Sequence, residues 1–487
     1  MSEPEALGEA LVAWAAVVGA AHVDRGERLA AANRTTLGTS TSLLAVIAPA
    51  NRDEVAACLR VAADARIPLY PVSTGRNWGY GSAAAPRNGC VLLSLARLGG
   101  LRCDEASASV TVEPGVTFRR LAGALGERGS RLLPPTTGSS PDTSVVGAIL
   151  ERGIGKWFYE DLAGRASAYE ALLATGETVR VDRARAGPAL HGLFNQSNFG
   201  VVTNVTLALE PAPVWRQTVV LHAGERERLG AVLVAVRALV QRTDARRQIE
   251  LINDYKLLTQ TRRYPYDEFD GSSELPRAWV ERATGASGWF GGVTLWADDD
   301  AELAARRAAL ERALGPFARS MHVEEPVAGA QLTLSDDGLA SAYWRKREPM
   351  PLNPDPDRDG CGVVWVAPAL PPEGASAARA VGALEAAVLE HGFEPSMSLR
   401  FVNSHAPRAV LGVLYDRDES GADDRAERCC DALYGVMRAH GLEAYRVPVT
   451  RMREIAAPSA GTATILRAIK TAADPFGVVA PGRYSAP

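Results

Sequence analysis

The stretch Ser73-Thr74-Gly75-Arg76-Asn77-Trp78-Gly79-Tyr80-Gly81, directly after a strand-like run at 67–72, joins groups that grip a phosphate to one that can serve a reaction. Its three glycines permit positive φ and close approach of the backbone to a ligand, and successive N–H groups in such a turn form an anion-binding concavity. Arg76 adds charge, and the Ser73 and Thr74 hydroxyls add hydrogen bonds suited to a pyrophosphate. Tyr80 brings a phenol to the same turn. Taken alone, the stretch reads equally well as a surface turn, so its meaning depends on what accompanies it.

Further glycine-rich turns lie at 113–117, 144–155 and 195–203. The common nucleotide motifs are missing. No Gly-x-Gly-x-x-Gly follows the early strands, and around Gly155-Lys156 a P-loop would need glycine where Leu150 stands and Ser or Thr where Trp157 stands. The seven histidines are scattered with no His-Glu-x-x-His, and the six cysteines show no paired Cys-x-x-Cys spacing. No metal site or disulfide framework is expected.

The elements that must hold these turns alternate in type. Strand patterns at 43–47, 69–72, 91–95 and 109–112 mix with helical patterns at 52–65 and 118–127, which predicts an α/β or α+β nucleotide-binding region. Pro211-Ala212-Pro213 marks its end; beyond it, strands at 218–222, 289–296, 363–366 and 410–415 with helices at 300–314 and 424–441 predict a second domain, an open sheet carrying helices. The turn-rich tail at 474–484 needs something to dock on. With 53 basic against 57 acidic residues there is no positive field to draw nucleic acid. Three glutamates precede the apolar run at 10–21, so it reads as an amphipathic helix and not a signal peptide; with no span long enough for a bilayer, a cytoplasmic protein without a membrane partner is expected.

In this order, and together with the tail, the turns resemble the FAD domain of the vanillyl-alcohol oxidase and p-cresol methylhydroxylase flavoprotein family, over most of 42–212 and again over about 441–484. The resemblance implies a discontinuous FAD-binding domain of two α+β subdomains at 1–212 and 442–487, and a cap at 213–441 with an antiparallel sheet flanked by helices. It implies that Ser73, Thr74, Gly75, Arg76, Asn77, Trp78 and Gly81 take the pyrophosphate. Pro114, Gly115, Ser139, Ser144, Val145, Gly147, Glu151, Gly153 and Gly155 would line the adenosine and flavin, Gly200 and Val202 would approach by backbone, and Arg483 would close over the cofactor. In the family a phenolic substrate is held by a tyrosine of the Gly-Tyr-Gly turn and by a Tyr-Arg pair; here these are Tyr80, Tyr445 and Arg446. A phenol of pKa ~10 needs about 4 kcal/mol of stabilisation to bind as phenolate at neutral pH, within reach of two phenolic donors and a guanidinium.

The sequence also departs from the family. Gly362 stands where covalent members attach the flavin; neither it nor Asp359 can make that link, and the Cys361 side chain points the other way in an extended segment, so FAD is expected to be non-covalent. Ser139 stands where the alcohol oxidase carries an acid, and Ala148 follows Gly147 in place of asparagine. Lys156-Trp157-Phe158 replaces smaller residues, and Tyr159-Glu160-Asp161-Leu162 leaves Asp161 as a candidate acid or base, or equally as a turn cap. The implied activity is hydride abstraction from the benzylic carbon of a 4-substituted phenol, with dioxygen or an electron-transfer protein as acceptor and a homodimer as a candidate assembly. Oxidation of a 2-hydroxy acid, sugar or secondary-metabolite alcohol, and a flavin-binding scaffold without turnover, are the alternatives.

Overall fold

The computed structural model describes residues 3–156, 161–224, 226–242, 247–285, 288–330, 337–402, 406–455 and 457–484; Trp157 to Glu160 therefore lie outside the described residues. The run expected to form an N-terminal helix is α1 (Glu3–Val18), which buries Trp14 and packs on α2 (Arg52–Ala65). Asn51 caps α2, its side chain accepting from the Glu54 N–H at 2.9 Å, and Arg66 in the left-handed region ends it. This helix lies beside a four-stranded sheet of β1 (Val23–Asp24), β2 (Leu43–Ile47), β3 (Leu69–Val72) and β4 (Cys90–Ser94). Strands β2, β4 and β3 are parallel, so the chain leaves β3 at one sheet end and enters the 73–81 loop.

A second, antiparallel sheet orders β5 (Leu101–Asp104), β6 (Ser109–Val112), β9 (Val201–Ala208), β7 (Ala166–Leu172) and β8 (Thr178–Asp182). Helix α3 (Phe118–Glu127) buries Phe118, Leu121 and Leu125 in the core of this region, and the short α4 (Val145–Leu150) buries Val145, Val146 and Ile149 there. The tail docks on the first sheet: Leu69 N–H donates to Val478 O at 2.7 Å and Ala480 N–H to Leu69 O at 2.8 Å.

The remaining strands form a nine-stranded antiparallel sheet. Its path runs through β10 (Trp215–His222), β12 (Trp289–Ala297), β11 (Arg247–Asn253), β15 (Ser396–Arg400), β16 (Arg408–Asp416), β14 (Cys361–Pro368) and β17 (Ala444–Arg446), with β13 (Ser320–Val323) outside β10. Strand alternation sorts its two faces. Ile249, Leu251, Met397, Leu399, Leu411 and Val366 enter a core shared with the helices 229–242, 374–389 and 422–439. Their neighbours Glu250, Ser398, Arg400, Val410, Val363 and Trp365 face a cavity on the opposite side. Among the described residues no helix is long and apolar enough to cross a membrane.

Candidate active site

The cavity, about 370 Å³, runs between the 73–78 loop, the turns at 137–156, the polar face of the large sheet and the tail at Arg483. Ser73, Thr74, Gly75, Arg76, Asn77 and Trp78 line one wall. Gly75 (φ +76°), Gly79 (φ +77°) and Gly81 (φ +114°) turn this loop through conformations that other residues resist. A Cβ on Gly79 would sit 2.0 Å from Trp365, which shows how closely the loop lies against β14. Behind the wall, Trp78 Nε1 donates to Asp357 Oδ2 at 3.0 Å and Ser82 Oγ to Oδ1 at 2.6 Å. Burial pushes the Asp357 carboxyl up to about 7.

Two segments distant in sequence, the 73–81 loop and 444–446, meet in this cavity. Tyr80, Tyr445 and Arg446 all line the cavity, and the Arg446 guanidinium carbon lies 4.0 Å from the centroid of the Tyr80 ring. Arg446 also donates to Asn77 Oδ1, and its Nε is 3.6 Å from Glu151 Oε2. Glu151 accepts from Arg483 as well, and from the Tyr484 hydroxyl at 2.8 Å. Burial alone would raise the Glu151 carboxyl, but Arg483 and Arg446 outweigh it and hold the group below the usual range. Gln196 Nε2 donates to the Tyr445 carbonyl at 2.9 Å, and Arg408 covers the Tyr445 ring at 4.8 Å. Burial raises both the Tyr80 and Tyr445 phenols, so each remains a donor at neutral pH.

Ser139, Ser144, Gly147, Glu151, Gly153 and Arg483 line the cavity too. Ser144 caps α4, its Oγ accepting from Gly147 N–H at 3.0 Å, and a Cβ on Gly147 would lie in ordinary contact with Ser73 Oγ at 3.5 Å. Other residues expected at the site lie behind the lining. Gly81 is pressed on Val449, where a Cβ would come within 2.3 Å, and Gly115 on Ala96 O at the same separation. Pro114 O accepts from Ser144 Oγ, Gly155 O accepts from Arg400, and Gly200 backs on Leu172 O. Val145 and Val202 are core residues. Asp161 is exposed, away from the lining, where its side chain accepts from Gly164 N–H at 3.0 Å to start a short helix; the structure gives it the cap role and not that of an acid or base in the cavity. Gly362 faces the Tyr415 ring, and Cys361 is buried away from the lining.

Sequence reasoning missed the wall contributed by the large sheet, Glu250, Trp365, Ser398 and Arg400, together with Lys256 from the helix that follows β11. Arg400 donates to Glu250 Oε2 at 2.7 Å. The available signal was polar residues alternating with apolar ones in strands whose other face is core, as in Gln248-Ile249-Glu250-Leu251 and Ser398-Leu399-Arg400.

The donor set fits an elongated anionic cofactor. Hydroxyls and backbone of a positive-φ loop stand beside Arg76, while Arg446 Nε and Thr136 Oγ1 are buried without a hydrogen-bond partner among the described residues.

Known proteins agree with this reading. An FAD binding domain model matches residues 43–182. The chain is 36% identical to 1'-carboxy-chondrochloren decarboxylase of Chondromyces crocatus, covering 98% of this chain and 97% of that protein. It is 24% identical to the flavoprotein subunit of the hydroxylating 4-cresol dehydrogenase of Pseudomonas putida, covering 88% and 85%. Its fold superposes on p-cresol methylhydroxylase with a TM-score of 0.89 at 20% identity, covering 99% of this chain and 97% of that one. With the 73–81 loop, the glycine turns and the docked tail around one cavity, the chain belongs to the p-cresol methylhydroxylase type of FAD-linked oxidoreductases and is an FAD-dependent enzyme.

Proposed function

We propose that the enzyme oxidises a 4-substituted phenol at its benzylic carbon, with the phenol bound as phenolate by Tyr80, Tyr445 and Arg446. The observation that carries this reading is the convergence of two neutral phenols and a guanidinium on one end of the cavity, with Arg446 4.0 Å from the Tyr80 ring. Two hydroxyl donors and a cation favour an anionic oxygen there. Electron density from that oxygen stabilises positive charge at the carbon para to it, so hydride loss leaves a quinone-methide-like product. Bound FAD supplies the two-electron acceptor. Ser73 to Trp78, Ser139, Ser144, Gly147, Glu151, Gly153 and Arg483 would hold it without a covalent link, since Gly362 stands where covalent members of the family attach the flavin. Segments 1–212 and 442–487 would form the cofactor domain and 213–441 the cap.

The Chondromyces relative is named as a decarboxylase, which favours a particular fate for the oxidised substrate. If the carbon next to the benzylic position carries a carboxylate, its C–C bond breaks and carbon dioxide leaves. The bond's electron pair becomes a side-chain double bond and restores the phenolate. No water is consumed, which suits a cavity with Ser139 where a base would activate water.

Anaerobic mixing tests the phenol requirement. A 4-alkylphenol should bleach the flavin and its methyl ether should not; equal bleaching by both would remove the phenolate from the mechanism and favour oxidation of an aliphatic alcohol.

A further inference from the structure

We propose that Lys256, with Arg400 and Ser398 on the facing strand, forms a carboxylate subsite in the same cavity as Arg446, so that the substrate is a phenol bearing an acidic side chain. This rests on the phenol reading above and adds the second point of recognition. Lys256 lies on the helix Asp254–Thr261, and with Gln260 one turn on it lines the cavity. The helix start is fixed. Asn253 caps it by accepting from Lys256 N–H at 2.9 Å, and is itself held by Glu385 at 2.8 Å and Pro395 O at 2.7 Å. The Lys256 side chain therefore projects from a rigid support.

Its ammonium donates to Ser341 Oγ at 3.0 Å and lies 5.3 Å from the centroid of the Trp365 ring, but no carboxylate stands within 4 Å of it among the described residues. Other enclosed cations in the protein are answered by acids: Arg345 by Glu394 at 2.8 Å, Lys346 by Asp416 at 2.6 Å, Arg226 by Asp254 at 2.6 Å and Lys470 by Asp474 at 2.7 Å. Glu250, the acid nearest in function, is engaged by Arg400. Burial pulls the Lys256 ammonium down to about 8, with Glu250 acting against it, as expected of a cation whose counter-ion is not part of the protein. A ligand carboxylate would supply that counter-ion, with further donors in Ser398 and Gln260. Lys256, Arg400, Tyr445 and Arg446 all line the one cavity.

The test compares the binding of three ligands to the anaerobic protein with its bound FAD reduced, which cannot oxidise them, by equilibrium dialysis: 4-propylphenol, 3-(4-hydroxyphenyl)propionate and 3-phenylpropionate. The unaltered protein should bind the hydroxyphenyl acid at least ~10-fold more tightly than 4-propylphenol, and Lys256→Met and Lys256→Gln should each reduce that preference ~10-fold or more, while Lys256→Arg retains most of it. Using two neutral replacements guards against one that fails to retain FAD. A preference that is absent in the unaltered protein, or unchanged in the neutral variants, overturns the proposal. The third ligand has no phenol: if its binding depends on Lys256, the carboxylate subsite stands even where 4-propylphenol fails to bind as phenolate, a failure that would sink the phenol reading alone.

Discussion

Replacing Arg446 by methionine should change the protonation state in which a phenol binds. The guanidinium carbon lies 4.0 Å from the Tyr80 ring centroid, so a phenolate oxygen meeting Tyr80 and Tyr445 would stand at a similar distance from the positive charge. At an effective dielectric constant of about 20, a unit charge pair 4 Å apart is worth about 4 kcal/mol, equivalent to about 3 pKa units. Glu151 remains after the substitution and opposes an anion, while Arg408 over the Tyr445 ring and water entering the vacated volume offset part of the loss, which trims the effect to about 2 units. A 4-alkylphenol that binds the unaltered enzyme as phenolate at pH 7 should then bind the Arg446→Met protein as neutral phenol, ionising only near pH ~9. Difference spectra recorded from pH 6 to 9 read this directly, because phenolate absorbs at longer wavelength than phenol. Retention of the flavin spectrum controls for folding. If the variant still shows the full phenolate band at pH 7, the guanidinium is not what ionises the substrate, and the chemistry assigned to this end of the cavity is wrong.

Gly79→Ala should cost about 3 kcal/mol or more of stability and lower FAD retention, since it combines φ +77° with a Cβ 2.0 Å from the Trp365 ring; a thermal midpoint unchanged within ~2 °C refutes that packing. Asp357 binds its proton more tightly folded, near 7, than its ordinary 3.8, so the stability it contributes is complete below pH ~4 and is lost as pH rises through 7, up to about 4 kcal/mol. Asp357→Asn should therefore flatten the fall in melting temperature between pH 5 and 8, and an identical slope in both proteins would place the proton elsewhere.

The fold was legible where local chemistry decides it. Helix 52–65 begins at an asparagine cap and helix 118–127 at a threonine cap, and both show an apolar stripe that matches the burial seen. The glycine turns of the first domain were equally visible, because positive φ leaves few residue choices. Which turn residues touch the cavity was not. Gly115 and Gly200 are small to admit a neighbouring backbone, and a sequence marks that requirement in the same way as close approach to a ligand. Asp161 illustrates the same ambiguity: a carboxylate three residues before a glycine N–H serves as a cap as readily as an acid. The cavity face of the large sheet was hidden for another reason. Glu250 and Arg400 are opposite one another only through the pairing of β11 with β15, and long-range register leaves no local trace.

The charges around the cavity explain why those distant residues belong to one site. Glu151 answers two guanidiniums, Arg446 and Arg483, and thereby leaves a net positive charge where Tyr80 and Tyr445 present hydroxyls. Glu250 answers Arg400 across the sheet, leaving Lys256 beside them as the additional cation. Had the carboxylates matched the cations, a neutral ligand would bind without leaving charge uncompensated, and an anionic one would meet no net attraction. With two guanidiniums sharing Glu151 and no carboxylate within 4 Å of Lys256 among the described residues, the proposed complement is a ligand with two anionic groups separated by an aromatic ring and a short chain. That arrangement also bears on the reaction. In the proposed reaction Arg446 would stabilise the anion that pushes electrons out of the ring at hydride loss, and Lys256 would orient the carboxylate that is lost as carbon dioxide. Neutralising Lys256 should therefore weaken binding of the acid while leaving the phenolate band of the bound ligand in place, whereas neutralising Arg446 removes the band itself.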